Sequence, residues 1–257
     1  MNLSFQLYSA REHPTWSTVF ETLAGFGYRQ VEGFGALFDD PTIDPVSLPA
    51  ELARVDLSMP SAHMAVDMLE ARPADAVALA QSLGVRLIVA PFLAPEQRPE
   101  DAKGWRAFAR RLDAIGKRLA ADGMPFAWHN HEFELQACAD GTVPLAVILE
   151  DAPAVGWEAD LAWVVRGGAD PARWVADHNE RIVAVHLKDI APSGECLDED
   201  GWADVGQGTM DWQGLVDQLR ASDRDRLWIV EHDKPSDVVR FARRSKQAFD
   251  TFTGKPS

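Results

Sequence analysis

A regular alternation of short apolar segments with longer amphipathic ones constrains this chain more than any other feature. The apolar segments have the composition of β-strands, and the amphipathic ones have the spacing of helices. Strands that alternate with helices indicate βαβ units and a parallel sheet. The predicted strands are at 3–8, 30–32, 57–61, 87–90, 126–129, 155–158, 182–187 and 227–230, and the predicted helices at 15–25, 46–54, 73–83, 99–121, 144–150, 171–175, 212–221 and 236–253.

Eight strand–helix repeats within 257 residues favour a closed (β/α)₈ barrel of the TIM type. An open, doubly wound sheet is the alternative for the same pattern. No shift in composition marks a second domain, so we expect residues 1–257 to form one barrel domain.

The net charge of −15 argues against nucleic acid and against an anionic membrane surface as partners, because both attract clustered Lys and Arg. No apolar run approaches the length of a membrane span. The two cysteines, Cys138 and Cys196, imply no disulfide, and the first residues lack the pattern of a signal peptide. We therefore expect a cytoplasmic protein that acts on a small molecule.

Polar side chains collect where the predicted strands end. In a barrel these carboxyl ends surround the active site. Carboxylates and imidazoles from several strands would meet there, and this mixture suits a divalent metal such as Mn²⁺, Mg²⁺, Co²⁺ or Zn²⁺. The polar positions are Glu32, His63, His129, His131, Glu132, Glu134, Glu158, Asp160, His186, Lys188, Asp189, Glu231, His232 and Asp233.

Several of these positions have a structural interpretation as well. The HxH pair at 129 and 131 is as typical of hydrogen-bonded scaffolding as of metal ligands. Asp160 could cap a helix. Lys188 could offer a cation to a substrate oxygen or pair with Asp189. The GQG sequence at 206–208 predicts either an anion cradle or a tight turn.

The ordered motifs HNHEFE, WEADLAW, HLKD, GQGTMDW and IVEHD resemble those of the xylose isomerase-like TIM-barrel superfamily, in its sugar phosphate isomerase/epimerase branch. The resemblance spans nearly the whole chain. It implies one divalent metal ion held by four residues at the barrel mouth. Asp160, His186 and Glu231 match three of these positions.

The first ligand position departs from the family pattern. Many members have Glu-Asn-His at the end of the fifth strand, whereas this chain has His129-Asn130-His131. Either His129 is itself the ligand, or Glu134 reaches back from the loop. We favour Glu134, because it keeps three carboxylates and one imidazole in the set.

The resemblance further implies proton transfer next to a carbonyl through a metal-stabilised enediolate. His131, His129 and Glu158 are the acid–base candidates, and Lys188 could neutralise a substrate oxygen. We therefore expect a sugar isomerase or epimerase, with a homo-oligomer possible. The alternatives are a dehydratase or lyase acting on an inosose or a 3-keto-glycoside, and a non-catalytic sugar-binding barrel. The net charge argues strongly against a related DNA-repair endonuclease.

Overall fold

Eight parallel strands close into a barrel, which confirms the predicted fold class and excludes the open sheet. The computed structural model describes residues 1–13, 15–40, 43–222 and 224–254. Each barrel strand pairs with the next along the chain, and the last pairs with the first. The strands are β1 (Leu3–Gln6), β2 (Gln30–Gly33), β3 (Ser58–His63), β4 (Leu87–Ala90), β5 (Phe126–His129), β6 (Gly156–Asp160), β7 (Ile182–Leu187) and β10 (Leu227–Val230). A short antiparallel ribbon of β8 (Asp189–Ile190) and β9 (Trp202–Ala203) lies in the loop that follows β7.

Helices surround the barrel between successive strands. Three short ones, α2, α4 and α8, were not predicted. The longest helix, α6, begins at Ala102 and not at 99, because the Asp101 side chain accepts a hydrogen bond from Gly104 N at 2.7 Å and caps the first turn. The helices are α1 (Trp16–Gly25), α2 (Gly35–Phe38), α3 (Leu48–Arg54), α4 (Val66–Ala71), α5 (Pro73–Leu83), α6 (Ala102–Ala121), α7 (Pro144–Asp151), α8 (Leu161–Arg166), α9 (Pro171–His178), α10 (Trp212–Arg220) and α11 (Val238–Phe252).

The barrel interior changes from apolar to polar along the strands. A separate buried cluster of Leu87, Val89, Ala127, Ala184 and Ile229 fills its lower part. Because every second residue of a strand points to the same side, the residues two positions after the last three also face the interior. These residues are His129, His186 and Glu231.

Three strands extend beyond their predicted carboxyl ends, β2 by one residue and β3 and β6 by two residues each. β3 extends to His63 and β6 to Asp160, so that both side chains are fixed by the sheet and not by a loop. Among the helices that the structure describes, none is long and apolar enough to cross a membrane.

Candidate metal centre and active site

Four side chains from consecutive barrel strands converge at the carboxyl end of the barrel. They are His129 at the end of β5, Asp160 at the end of β6, His186 on β7 and Glu231 directly after β10. One donor atom of each lies within 4.8 Å of a donor atom of every other, and all four residues are buried. The structure thus brings together three of the residues predicted as metal ligands, with His129 as the fourth.

Glu134 lies outside this group. Its Oε1 accepts a hydrogen bond from the indole of Trp128 at 2.9 Å, and its Oε2 accepts one from His131 N at 2.9 Å. Burial raises the pKa of the Glu134 carboxyl to about 8. Both carboxylate oxygens therefore hold the turn after β5, and the structure does not place Glu134 with the other predicted ligands, although we favoured it from the sequence.

Asp160 combines the two roles that its sequence position left open. Its Oδ1 accepts a hydrogen bond from Trp163 N at 2.9 Å and caps α8. Its Oδ2 is buried and accepts no hydrogen bond. Asn130 fixes the end of β6, because its side chain accepts from Asp160 N at 3.0 Å and donates to Asp160 O at 3.1 Å. Nothing in the sequence pattern singled out this amide clamp.

Lys188 supplies the positive charge of the site and is fully buried. Its Nζ lies 2.8 Å from Asp233 Oδ1, 2.9 Å from Glu231 Oε2 and 3.4 Å from Asp160 Oδ2. Burial alone would lower the pKa of Lys188, but the three carboxylates raise it above its usual range, so the amine stays protonated. The Asp189 pairing considered from the sequence does not occur.

A second group of side chains lies next to the first, on the same barrel floor. Glu158, predicted as an acid–base group, contacts His63 Nε2 at 2.7 Å and His186 Nε2 at 3.2 Å. Glu32 Oε1 contacts His186 Nε2 at 2.8 Å and His63 Nε2 at 3.2 Å. The sequence placed Glu32 and His63 at strand ends but gave them no role, since pairs this far apart in the chain carry no local signal.

The electric field of these carboxylates sets the protonation of the site. Burial would lower the pKa of His186, but Glu158 and Glu231 outweigh it and hold that pKa well above the usual range. Burial raises the pKa of Asp160 to about 6, against the lowering effect of Lys188. Burial, followed by the charge of Glu32, raises the pKa of Glu158 to about 7. The protonation state of each of these groups therefore depends on the charge of its neighbours.

A cavity of about 550 Å³ opens above this floor, within the range usual for small-molecule sites. Tyr8, Phe34 and Phe92 form aromatic walls, and His131 lines it beside His129. Burial, and then the charge of Lys188, lower the pKa of His131 to about 3, so its imidazole is neutral at pH 7.

The GQG loop is a turn built around a protein carboxylate. The buried Asp189 accepts hydrogen bonds from Gly206 N at 2.9 Å and from Met210 N at 3.0 Å. A Cβ at Gly208 would lie 2.2 Å from Asp189 Oδ1, so only glycine fits there. Asp189 therefore accepts the hydrogen bonds of Gly206 N and Met210 N, two amides that could otherwise have bound an external anion.

Comparisons with known proteins agree with this architecture. A family model described as xylose isomerase-like TIM barrel matches residues 65–250. A sugar phosphate isomerase/epimerase from Parabacteroides distasonis has a TM-score of 0.80 at 20% identity, over 96% of this chain and 92% of that one. The IOLI protein with a bound zinc atom has a TM-score of 0.78 at 16% identity, over 99% and 98% of the two chains. At these identities the structures show a shared fold.

Among curated proteins, the rhizopine catabolism protein MocC of Rhizobium meliloti is 26% identical over 148 residues. The match covers 53% of this chain and 44% of that protein, so it spans less than half the length of this relative.

Proposed function

We propose that this chain, which belongs to the xylose isomerase-like TIM barrel family, is a divalent-metal-dependent enzyme that isomerises or epimerises a neutral sugar or sugar-like polyol. The observation that carries the proposal is the convergence of His129, Asp160, His186 and Glu231 from consecutive strands onto one point beneath the cavity.

The donor set fits a divalent ion. It mixes two imidazoles with two carboxylates, a combination that suits Mn²⁺, Co²⁺ or Zn²⁺. Asp160 Oδ2 is buried without a hydrogen bond and lies 3.4 Å from Lys188 Nζ, which Glu231 and Asp233 contact more closely, so a further cation would stabilise this buried oxygen. A bound divalent ion would act as a Lewis acid that favours loss of a proton next to the substrate carbonyl.

Two side chains would handle charge and protons. Lys188 keeps its proton and holds a positive charge beside Glu231 and Asp160, where negative charge on a substrate oxygen would be stabilised. His131 lines the cavity, and its imidazole is neutral because burial lowers its pKa. We assign His131 as the group that accepts the proton from one substrate carbon and, in an isomerisation, returns it to the neighbouring carbon; in an epimerisation a second group supplies the proton to the opposite face.

The shape and charge of the cavity favour a neutral polyhydroxylated substrate. The rings of Tyr8, Phe34 and Phe92 can pack against the apolar face of a sugar. Asp189 accepts hydrogen bonds from Gly206 N and Met210 N, and Asp204 O accepts one from Gln207 N, so these amides are not available to a phosphate. At the rim, Lys234 is paired with Asp200 at 3.0 Å.

The proposal is tested by measuring metal content and then proton exchange in D₂O with a panel of ketoses and inososes. We expect about one equivalent of metal per chain in the catalytic site. We also expect deuterium incorporation at the carbon next to the substrate carbonyl. Asp160→Asn and Glu231→Gln should each lower the metal content by this catalytic equivalent and abolish deuterium incorporation, whereas Asp217→Asn, at an exposed carboxylate on α10, should change neither. Wild-type activity in the Asp160 and Glu231 variants would refute the assignment of the site.

Dehydration or lysis of an inosose or 3-keto-glycoside is the second candidate, since both begin with the same proton abstraction. Asp233 favours it, because this carboxyl lines the cavity, where it could contact a leaving oxygen, and burial raises its pKa against the lowering effect of Lys188. An unsaturated product, or two fragments, in the same assay would identify this reaction.

A further inference from the structure

The floor of the cavity contains three imidazole rings packed in a triangle. His63, His129 and His186 come from alternate barrel strands, β3, β5 and β7. Their ring centroids are 4.6 Å apart for His129 and His186, 5.4 Å for His63 and His129, and 5.5 Å for His63 and His186. All three residues are buried, with exposed fractions of 6% or less.

One nitrogen of each ring faces the same carboxylate oxygen. Glu158 Oε2 lies 2.7 Å from His63 Nε2, 3.2 Å from His129 Nδ1 and 3.2 Å from His186 Nε2. In a tetrahedral zinc site with metal–ligand distances of about 2.0–2.1 Å, neighbouring donor atoms are roughly 3.3 Å apart. All four donor atoms lie within 4.8 Å of one another, so the group has about the size that a bound ion requires.

Unsatisfied atoms mark the same place. Glu158 Oε1, Glu32 Oε2 and His129 Nδ1 are buried without a hydrogen bond. Buried polar atoms are almost always paired, and buried charges are paired or coordinate metals. Gln6 Nε2 donates to Glu32 Oε1 at 2.8 Å and so orients this carboxylate behind His63 and His186.

We propose that His63 Nε2, His129 Nδ1, His186 Nε2 and Glu158 Oε2 form a second divalent-metal site, which we call the deep site. It is distinct from the proposed catalytic set because it has two donors of its own, His63 and Glu158, where the catalytic set has Asp160 and Glu231. Three imidazoles and one carboxylate select Zn²⁺, Co²⁺ or Ni²⁺ over Mg²⁺.

His186 is a donor in both the catalytic set and the deep site. Its Nε2 faces Glu158 and its Nδ1 lies 3.1 Å from Glu231 Oε2. Each imidazolium must lose its proton to bind an ion, so zinc binding releases protons to the solvent. Because His129 and His186 belong to both donor sets, occupation of both sites at once requires each of these imidazoles to bridge through both nitrogens, which releases one further proton from each.

The test is Zn²⁺ and Co²⁺ binding to the full-length protein, followed by calorimetry and by visible absorption of the cobalt form. We expect zinc binding to persist in the Asp160→Asn/Glu231→Gln double variant. His63→Gln or Glu158→Gln introduced into that background should weaken zinc binding by at least about a hundredfold. His131→Gln in the same background is the matched control, because it removes an imidazole that belongs to neither set.

The outcomes separate this proposal from the proposed function. If the Asp160→Asn/Glu231→Gln variant binds no zinc, or if His63→Gln and Glu158→Gln bind it as tightly as their parent, the deep site is refuted. Neither result bears on whether Asp160 and Glu231 are needed for activity. The cobalt spectrum shows whether the double variant still has a folded deep site. A tetrahedral cobalt ion with nitrogen ligands gives intense visible bands, whereas a six-coordinate ion with oxygen ligands, as expected for a misfolded variant, gives weak ones.

Discussion

Replacement of Lys188 by Met tests the electrostatic structure of the site most directly. The side chain is fully buried, and its Nζ is within 3.4 Å of three carboxylates, those of Asp160, Glu231 and Asp233. Methionine nearly preserves the volume and removes the charge. The three carboxylates then lose the cation that they share.

The expected loss is large because the group is buried. Removing one partner of a buried ion pair costs about 3–5 kcal/mol in the free energy of unfolding. For a chain of this size about 1 kcal/mol shifts Tm by roughly 2–4 °C, so the metal-free Lys188→Met variant should melt about 6–20 °C lower than the wild type.

The loss should depend on pH and on metal. The pKa of Asp160 is raised to about 6 in the folded protein, above its value in the unfolded chain, so protonation favours the folded state below that pH. The destabilisation by Lys188→Met should therefore shrink as the pH falls from 7 to 5. A divalent cation should raise Tm more in this variant than in the wild type, because it compensates the negative charge that the loss of Lys188 leaves unpaired.

Thermal unfolding of the metal-free proteins, followed by circular dichroism, measures this effect. The control is Lys234→Met, which removes a half-exposed lysine paired with Asp200 and should cost less than about 1 kcal/mol. Equal melting temperatures for the two variants at pH 7 would show that Lys188 does not compensate the carboxylates, and the reasoning would be wrong.

Three further variants test local assignments. Glu134→Gln should leave the metal content unchanged, and reduced metal content would contradict the role of Glu134 as the acceptor for Trp128. The variant should also gain stability relative to the wild type as the pH rises from 5 to 8. The reason is that the native carboxyl has a raised pKa of about 8, so its ionisation disfavours the folded state. Asp189→Asn should lower the free energy of unfolding, measured in urea, by about 2 kcal/mol, because an amide replaces the charged acceptor of Gly206 N. An unchanged urea midpoint would argue against the role of Asp189 in holding this loop. Gly208→Ala should lower Tm, since its Cβ would lie 2.4 Å from Ile190 O, and a melting temperature equal to the wild type would show that the loop adapts.

Some features of the site could be predicted residue by residue and others could not. The sequence pointed to Asp160, His186 and Glu231 because each sits at a strand end within a familiar motif, and the structure brings the three together. The choice between His129 and Glu134 could not be made, since both lie within one short segment and only the fold shows that the Glu134 oxygens are bound by Trp128 and a backbone amide.

The amino-acid sequence alone determined the barrel, its orientation and the end at which polar residues gather, because hydrophobic periodicity and helix signals act over a few residues. Only the tertiary structure decided which of these polar atoms touch. His186 and Glu32 are 154 positions apart, and His63 and Glu158 are 95 apart, yet each pair is within hydrogen-bond distance. Contacts of this kind depend on how strands are aligned around a closed barrel, a property of the whole sheet that no local pattern records.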